Sequence, residues 1–380
     1  MVVHSQNIEI NGQFEKALNL LENTPKNILI TGRAGTGKST LLDYFVNHTK
    51  KDVVVLAPTG VAAVNVNGQT IHSFFGFKPG ITIDKVKTVY GLNSELYKMI
   101  DTIIIDEISM VRADLFDCVD KFLRLNGKNK SKSFGGVQMV FIGDLYQLPP
   151  VVKGKEREVF QTHYKSPYFF DAHVFKNFEV EFIELDKIYR QTDENFINLL
   201  NAIRNKSVTD ADLKKINKRL NPDFEPNGDN FYINLTTTNK LSDEINSKEL
   251  GKLNSKLFTF NGKIKGDFDK SYLPTDEILN VKAGSQVMLL NNDQEHRWVN
   301  GTVGKITAIK EDEDKKATVE VKLEDGKTVD VKRHKWDLSR VVYNAETKKL
   351  ESEIIGSFTQ YPLRLAWAVT IHKGQGKTFE

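Results

Sequence analysis

The sequence predicts an α/β protein built on parallel sheets, and two observations support this fold class. Four short apolar runs, at 28–30, 53–57, 103–105 and 139–142, are each closed at the carboxyl end by glycine or polar residues. Amphipathic helical patterns lie before and between these runs. Runs that are apolar on both faces and alternate with helices are typical of buried parallel strands. Because ligands of open α/β sheets bind beyond the carboxyl ends of the strands, the four polar clusters mark the expected site.

The composition excludes several classes of protein. The chain has 380 residues, of which 39% are hydrophobic and 27% charged, as in soluble globular proteins of two or three domains. Its one cysteine, Cys118, cannot form an internal disulfide and is expected to be a buried small hydrophobe. No run approaches a membrane span and residues 1–13 lack a signal-peptide pattern, so we expect a cytoplasmic protein without a membrane partner. A net charge of +3 means that any nucleic-acid site must be local.

Helices are predicted where apolar residues recur at the spacing of one helical face. The three faces comprise Phe14, Ala17, Leu18 and Leu21, then Leu41, Leu42, Phe45 and Val46, and later Phe196, Leu199, Leu200 and Ile203. The last of these helices belongs to a second unit that we expect to begin at residue 182. Strands for its sheet are predicted at 234–236, 286–290 and 365–371.

Residues 299–355 are predicted to be a small all-β insert. Alternating patterns at 318–323 and 327–331 flank Asp325-Gly326, which is the signature of a β-hairpin. The predicted domains are therefore 1–181, then 182–298 with 356–380, and the insert at 299–355.

A phosphate-binding loop is predicted at 32–39, where the chain fits G-x-x-x-x-G-K-[ST] between an apolar strand and a helix. Its glycines let backbone N–H groups converge on phosphate oxygens, Lys38 adds a charge that reaches the outer phosphates, and Ser39 offers a hydroxyl to magnesium. The predicted ATP-binding residues of this segment are Gly32, Ala34, Gly35, Thr36, Gly37, Lys38, Ser39 and Thr40.

Four further residues are candidates for phosphate chemistry. Asp106 and Glu107 close the third apolar run; after a phosphate loop, Asp106 is expected to hold magnesium and Glu107 to polarise the attacking water. Gln147 follows the fourth run and either senses the outer phosphate or is an ordinary loop residue. Arg190 lies near the start of the second unit. It either supplies a positive charge to the outer phosphate across the cleft between the two units or has no such role.

Taken together, these segments resemble superfamily 1 DNA helicases, and more closely the petite-integration-frequency (Pif) helicases and their bacterial relatives. The resemblance covers nearly the whole chain. The segments that carry it are 57–75, 106–110, 114–117, 134–150, 189–191, 237–239, 298–302 and 365–376.

The resemblance implies two RecA-like domains with ATP in the cleft between them and an SH3-like β-barrel as the insert. It also implies that Gln13 reads the adenine, that Gly376 contributes to ATP binding, and that Arg190 donates charge to the outer phosphate. Movement from 5′ to 3′ on single-stranded DNA and roles in DNA replication, repair, recombination and telomere maintenance follow from the family alone.

The DNA track implied by the resemblance crosses both domains and includes a small DNA-contacting insert at about 65–80. Its residues are Pro58, Thr59, Gly60, Asn65, His72, Phe74 and Phe75 in the first domain, and Thr237, Thr238, Asn239, Thr370, His372 and Lys373 in the second. Phe74 or Phe75 would offer a surface on which a base stacks, with the other in the core. For His72 and His372, the alternative is that each is a structural histidine without a role in DNA binding.

The sequence therefore predicts a monomeric ATP-dependent DNA helicase that uses Mg²⁺ and ATP and binds single strands and single-strand/duplex junctions. The predicted catalytic residues are Lys38, Asp106, Glu107, Gln147 and Arg190, with Ser39 and Asp106 as metal ligands. The family pattern continues with an Ala-x-Ser-Arg segment, and the sequence stops at Glu380 before it. A nucleotide-gated DNA-binding module without turnover is therefore the alternative. A small-molecule kinase leaves the Thr237 and His372 clusters unexplained.

Overall fold

The computed structural model describes residues 10–33, 35–152, 156–187, 193–224, 231–311 and 317–374. The chain divides into two units. Unit 1 comprises Met1–Thr192 and Leu338–Ile355, and unit 2 comprises Asp193–Asp337 and Gly356–Glu380. None of the described helices is long and apolar enough to cross a membrane.

Unit 1 is built on a six-stranded parallel sheet of order β3-β2-β4-β5-β1-β6. Its strands are β1 (Ile28–Gly32), β2 (Val53–Ala57), β3 (Gln69–Thr70), β4 (Thr102–Ile105), β5 (Gln138–Ile142) and β6 (Glu181–Leu185). The four predicted apolar runs are β1, β2, β4 and β5, the inner strands of the sheet. The parallel α/β prediction is therefore confirmed for this unit.

Helices cover this sheet. They are α1 (Gly12–Asn23), α2 (Lys38–His48), α3 (Gly60–Asn65), α4 (Ile71–Phe75), α5 (Leu92–Met99), α6 (Ala113–Asn126) and α7 (Glu156–His163). The predicted apolar faces of α1 and α2 are buried, except that Leu18 is partly buried and Val46 is exposed. Cys118 on α6 is fully buried, as predicted.

Strand β6 corrects the predicted boundary at residue 182. It pairs in parallel with β1, with Gly32 opposite Leu185, and so completes the first sheet. Ile183 and Leu185 are buried in a hydrophobic core that they share with residues of α1 and α2, whereas Phe182 is 56% exposed. A short apolar run does not indicate which sheet it joins, so this pairing cannot be predicted from the sequence alone.

Unit 2 combines a small parallel pair with antiparallel sheets. Its helices are α8 (Glu194–Arg204), α9 (Asp210–Asn217), α10 (Asn239–Lys252) and α11 (Ile371–Gly374). Its strands, two of which extend into unit 1, are β7 (Asn234–Thr236), β8 (Leu257–Asn261), β9 (Lys263–Gly266), β10 (Ile278–Lys282), β11 (Gln286–Leu289), β12 (Val303–Glu311), β13 (Ala317–Leu323), β14 (Thr328–Val331), β15 (His334–Asn344), β16 (Lys349–Gln360), β17 (Leu363–Leu365) and β18 (Ala368–Thr370). The helix predicted from Phe196 is α8, although its apolar face is not buried among the described residues.

The strands of unit 2 differ in part from the prediction. β7 and β18 form the expected parallel pair, but β11 lies in the antiparallel sheet β14-β13-β12-β11-β17. The predicted strand at 365–371 is divided between β17 and β18. The predicted hairpin is β13–β14, with Gly326 in the left-handed region at φ 84°.

The predicted insert at 299–355 does not form one compact unit. Leu338–Ile355, the outer part of β15 and β16, belongs to unit 1. Val341, Tyr343 and Leu350 pack against the core of unit 1. The Val341 N–H also donates to Gln69 Oε1 on β3, at 3.5 Å. Sequence alternation identifies a β-ribbon but not the surface that buries its apolar residues.

Candidate nucleotide site and nucleic-acid interface

The phosphate loop follows β1 and has the backbone that its glycines allow. Gly35 and Gly37 have φ of 78° and 86°, in the left-handed region that favours glycine. A Cβ atom on Gly32 would lie 2.5 Å from the Leu185 carbonyl oxygen and 2.6 Å from Thr36 Oγ1. Gly32 therefore lets β6 and the loop approach each other closely.

Lys38 begins α2 and folds back over the loop. Its Nζ donates to the carbonyl oxygens of Gly32 at 2.8 Å and Arg33 at 2.9 Å. Thr36, which is 1% exposed, also donates to the Arg33 carbonyl. Ser39 is exposed in the first turn of α2, as is Thr40, where a helix N-terminus favours anions.

Gln13 lies beside this loop. Asn11 caps α1 by accepting from the N–H groups of Gln13 and Phe14. The Gln13 side chain accepts from the Asp186 N–H, directly after β6, at 3.2 Å. The Phe14 ring lies 3.0 Å from the position of a Cβ on Gly37. Helix α1 thus holds Gln13 near the phosphate loop, where the resemblance places a nucleotide-binding residue.

Asp106 and Glu107 follow β4 at the same edge of the sheet. The Asp106 N–H donates to the Leu56 carbonyl at 2.9 Å, which ties the strand end to β2. Burial raises the pKa of Asp106, although Lys38 opposes the shift. Burial, then the charges of Asp106 and Asp144, raise the pKa of Glu107 to about 7, again against Lys38. This pKa suits a general base at neutral pH.

Gln147 is held by Asp144 in the turn after β5. Asp144 is 4% exposed and accepts from the Tyr146 N–H at 3.1 Å and from Gln147 Nε2 at 3.4 Å. Since β5 lies between β4 and β1, this turn stands between the two carboxylates and the phosphate loop. Asp144 was not among the predicted site residues, although its position directly after a buried strand was the available signal.

Ser109 was likewise not among the predicted site residues. It lies two residues after Glu107 in the 3-10 turn Ile108–Met110 and is fully buried. Within the described part of the chain, its Oγ is the buried side-chain polar atom without a hydrogen-bond partner. A Cβ on Gly143 would meet the Ile108 N and Cγ2 at 3.1 Å, so this turn packs directly on the end of β5.

The residues present fit a magnesium ion that is bound together with a nucleotide. Among the described residues, no cluster of three or more His, Cys, Asp or Glu side chains could hold a metal ion. Mg²⁺ is commonly held by one or two carboxylates, water and substrate phosphates. Asp106, with the hydroxyl of Ser39 near the phosphate loop, supplies ligands of that kind.

The DNA candidates of unit 1 lie at the carboxyl ends of neighbouring strands. Ala57 of β2 pairs with Thr70 of β3, so Thr59 and His72 each follow the pair by two residues. Thr59 caps α3 by accepting from the Ala62 N–H, and its side chain is exposed. The other candidates in this group are Pro58, Gly60 and Asn65, of which Asn65 is exposed.

Phe74 and Phe75 correct the stacking prediction. They are 6% and 4% exposed and belong to the core of unit 1. Phe75 packs edge-on against Phe122, with ring centroids 5.1 Å apart, and Phe74 against Tyr97 at 5.6 Å. With helical periodicity alone, the sequence could not show that both rings face inward. Neither ring offers a face to a base.

His72 has charged neighbours that the sequence did not indicate. Burial lowers the pKa of His72, Arg112 lowers it further, and Asp114 opposes the shift. Arg112 donates to Asp114 at 2.6 and 3.0 Å and also lies over the Phe160 ring. Burial and the Arg112 charge therefore both favour the neutral form of the His72 ring.

The DNA candidates of unit 2 also gather at one strand edge. Thr236 of β7 pairs with Thr370 of β18, so Thr237 and α11 follow at the same end. Thr237, Thr238 and Asn239 are exposed, and Thr238 caps α10, whereas Thr370 is buried. The backbone of His372 and Lys373 lies in α11, but their side chains lie outside the described part of the structure. Three other predicted site residues, Ala34, Arg190 and Gly376, lie wholly outside it.

The fold and this site define a phosphate-loop protein of the RecA-like class, in which a loop after β1, carboxylates after β4 and an amide after β5 share one sheet edge. A family model described as PIF1-like helicase matches residues 7–214. The chain belongs to the PIF1-like helicase family, which confirms the predicted family.

Relatives agree with this assignment. The chain is 30% identical over 393 residues to the ATP-dependent DNA helicase Pif1 of Bdellovibrio bacteriovorus, covering 100% of this chain and 82% of the relative. It is 33% identical over 307 residues to the ATP-dependent DNA helicase RRM3 of Saccharomyces cerevisiae, covering 77% of this chain and 41% of that protein. The chain thus spans less than half of the yeast relative.

Solved structures support the fold. Bacteroides Pif1 in complex with ADP-AlF4 matches with a TM-score of 0.90 and 37% identity, over 98% of this chain and 85% of that chain. Bacteroides Pif1 bound to single-stranded DNA matches with a TM-score of 0.63 and 37% identity, over 98% and 84% of the two chains. The predicted class of two RecA-like domains is thereby confirmed.

Proposed function

We propose that this chain is an ATP-dependent DNA helicase that moves 5′ to 3′ on single-stranded DNA and separates the duplex ahead of it. The observation that carries the proposal is that Lys38, Glu107 and Gln147 follow three adjacent strands of the first sheet and so lie at its carboxyl edge. Family membership supports DNA as the substrate, because the relatives are named DNA helicases.

In the proposed reaction, the backbone N–H groups of the phosphate loop and the Lys38 ammonium bind the phosphates of ATP. Magnesium, with Asp106 and Ser39 as its protein ligands, would neutralise charge on the outer phosphates. The Glu107 carboxylate accepts a proton from the attacking water, and the Gln147 amide hydrogen-bonds to that water or to the outer phosphate. Arg190 is proposed to add charge to the same phosphate, and Gln13 with Gly376 to contribute to nucleotide binding.

DNA is proposed to follow the residues gathered at the strand ends of each unit. In unit 1 these include Thr59 and His72, and in unit 2 Thr237, His372 and Lys373. ATP is proposed to bind one arrangement of the two units more tightly than the other, and hydrolysis removes that preference. The resulting cycle of conformational change moves the protein along DNA. We propose a monomer as the active species, with single-strand/duplex junctions as its substrate.

The test is strand separation on three matched duplexes, with a 5′ single-stranded tail, a 3′ tail or no tail. The proposal predicts ATP-dependent separation of the 5′-tailed duplex alone, and none with Glu107→Gln. Separation of the 3′-tailed duplex would overturn the polarity. ATP-independent separation, equal in Glu107→Gln, would overturn the proposed function.

A further inference from the structure

Ser109 is a fully buried serine beside the proposed catalytic carboxylate. It lies two residues after Glu107, in the 3-10 turn Ile108–Met110. Ser109 is 0% exposed, and its Oγ has no hydrogen-bond partner among the described residues. A buried hydroxyl without a partner costs free energy, whereas an alanine at the same position would leave no polar side-chain atom unpaired. In this arrangement of the turn, the hydroxyl therefore does not stabilise the fold.

The backbone of the same turn is also held in an unfavourable conformation. Glu107 has φ 50° and ψ 43°, in the left-handed region that residues other than glycine rarely adopt. Its carbonyl oxygen accepts from the Met110 N–H at 3.0 Å, which closes the turn around Ser109. A rotation of the Glu107 backbone therefore carries Ser109 with it. Strained backbone of this kind is maintained by the surrounding structure and is concentrated at active sites and switch segments.

The turn packs on a strand end that is bonded to the start of the phosphate loop. A Cβ on Gly143 would lie 3.1 Å from the Ile108 N and 3.5 Å from the Ser109 N, so the two segments are in close contact. The Gly143 N–H donates to the Ile30 carbonyl at 3.2 Å, two residues before Gly32. Because close-packed segments transmit displacements, a shift of the phosphate loop reaches the turn through Gly143.

We propose that Ser109 is a positioning residue for Glu107: nucleotide in the phosphate loop shifts the turn that carries both residues, the Ser109 hydroxyl gains a hydrogen bond, and this bond holds the Glu107 carboxylate toward the attacking water. The inference rests on the proposed function and adds to it a residue that acts through Glu107. A hydroxyl that is paired only after binding makes nucleotide binding more favourable and folding less favourable. A purely structural serine has the opposite effect on folding, because its removal lowers stability.

The experiment compares three substitutions of Ser109. Ser109→Ala removes the hydroxyl, Ser109→Cys keeps the size of the side chain but bonds weakly, and Ser109→Thr keeps the hydroxyl. Urea unfolding without nucleotide measures stability, titration with a fluorescent non-hydrolysable ATP analogue and Mg²⁺ measures affinity, and phosphate release measures turnover. Ser285→Ala is the matched control, because Ser285 is also fully buried but its Oγ accepts from the Lys282 N–H at 3.0 Å.

Ser109→Ala is expected to raise the urea midpoint while it impairs function. Analogue binding should weaken by about 5- to 150-fold, and phosphate release at saturating ATP should fall by about 10- to 100-fold. Ser109→Cys should match Ser109→Ala in affinity and turnover, whereas Ser109→Thr should approach the parent. Ser285→Ala should lower the midpoint, because a buried hydrogen bond is lost, and should keep the parent affinity and turnover.

Three results would overturn the inference. A lower midpoint in Ser109→Ala would show that the hydroxyl already has a partner, such as a buried water molecule. Parent values of affinity and turnover in Ser109→Ala would show that the hydroxyl has no role in the nucleotide site. A Ser109→Thr variant that folds and is as impaired as Ser109→Ala would show that side-chain fit matters and the hydroxyl does not. If the methyl group of Ser109→Thr prevents folding, Ser109→Ala and Ser109→Cys decide the question.

Failure of the proposed function has a different signature. A parent that binds the analogue but releases no phosphate would refute ATP-driven activity, and the midpoint and affinity comparisons would still decide whether Ser109 gains a partner on binding. A parent that binds no analogue would overturn both.

Discussion

The Lys38 ammonium group donates to the Gly32 carbonyl oxygen at 2.8 Å, so the positive charge of α2 lies directly over the loop that follows β1. The same charge opposes the upward pKa shifts of Asp106 and Glu107. One side chain therefore links the phosphate loop electrostatically to the carboxylates after β4.

Replacing Lys38 should remove catalysis without unfolding the protein. Lys38→Ala is expected to lower ATP turnover by at least about 10²-fold, because the charge that stabilises the transferring phosphoryl group is lost. Lys50→Ala, an exposed lysine just after α2, should keep the parent rate. Steady-state phosphate release measures both. Turnover near the parent rate in Lys38→Ala would show that the phosphate loop is wrongly assigned.

Glu107→Gln should separate binding from hydrolysis. The amide keeps the size of the side chain but cannot accept the proton of the attacking water, so turnover is lost while ATP affinity stays within a few fold. Titration with a fluorescent ATP analogue measures affinity, and phosphate release measures turnover. Loss of affinity together with turnover would indicate a structural role for Glu107.

Much of the geometry of the candidate nucleotide site could be predicted because its residues lie next to the strand ends that position them. The phosphate loop and Asp106-Glu107 each follow an apolar run, so local sequence fixes both the strand and its polar end. The location of β6 and the burial of Phe74 and Phe75 depend on contacts between distant segments, which local periodicity does not encode. Arg112 near His72 was missed for the same reason.

Phe75 should contribute to stability and not to DNA binding. Phe75→Leu is expected to cost about 1 to 2 kcal/mol of unfolding free energy in unit 1, because the packing against Phe122 becomes incomplete. Affinity of the folded protein for single-stranded DNA should stay within twofold. Phe182→Leu, at an exposed position, should leave both quantities unchanged. A large loss of affinity with no loss of stability would restore Phe75 as a stacking residue.

His72 should titrate below its ordinary pKa of 6.5, because burial and Arg112 favour the neutral ring. The folded state then binds fewer protons than the unfolded state, so this contribution to stability is present above about pH 6.5 and is lost as the pH falls through the folded pKa. Arg112→Gln should raise the pKa, since Asp114 remains.

The His72 titration can be followed by NMR, with its ring signal assigned by its disappearance in His72→Gln. Arg124→Gln is the control, because Arg124 pairs with Asp120 on the same helix and is not among the charges acting on His72. A parent midpoint above 6.5, or a midpoint that Arg112→Gln does not move, contradicts the assigned neighbours.

The most direct test of the central claim is the rate of ATP hydrolysis by this chain with and without single-stranded DNA. The account predicts Mg²⁺-dependent hydrolysis that DNA stimulates in the parent chain and that is absent in Glu107→Gln under both conditions. A chain that binds ATP and DNA but releases no phosphate, with or without DNA, would contradict the account and favour a nucleotide-gated binding module.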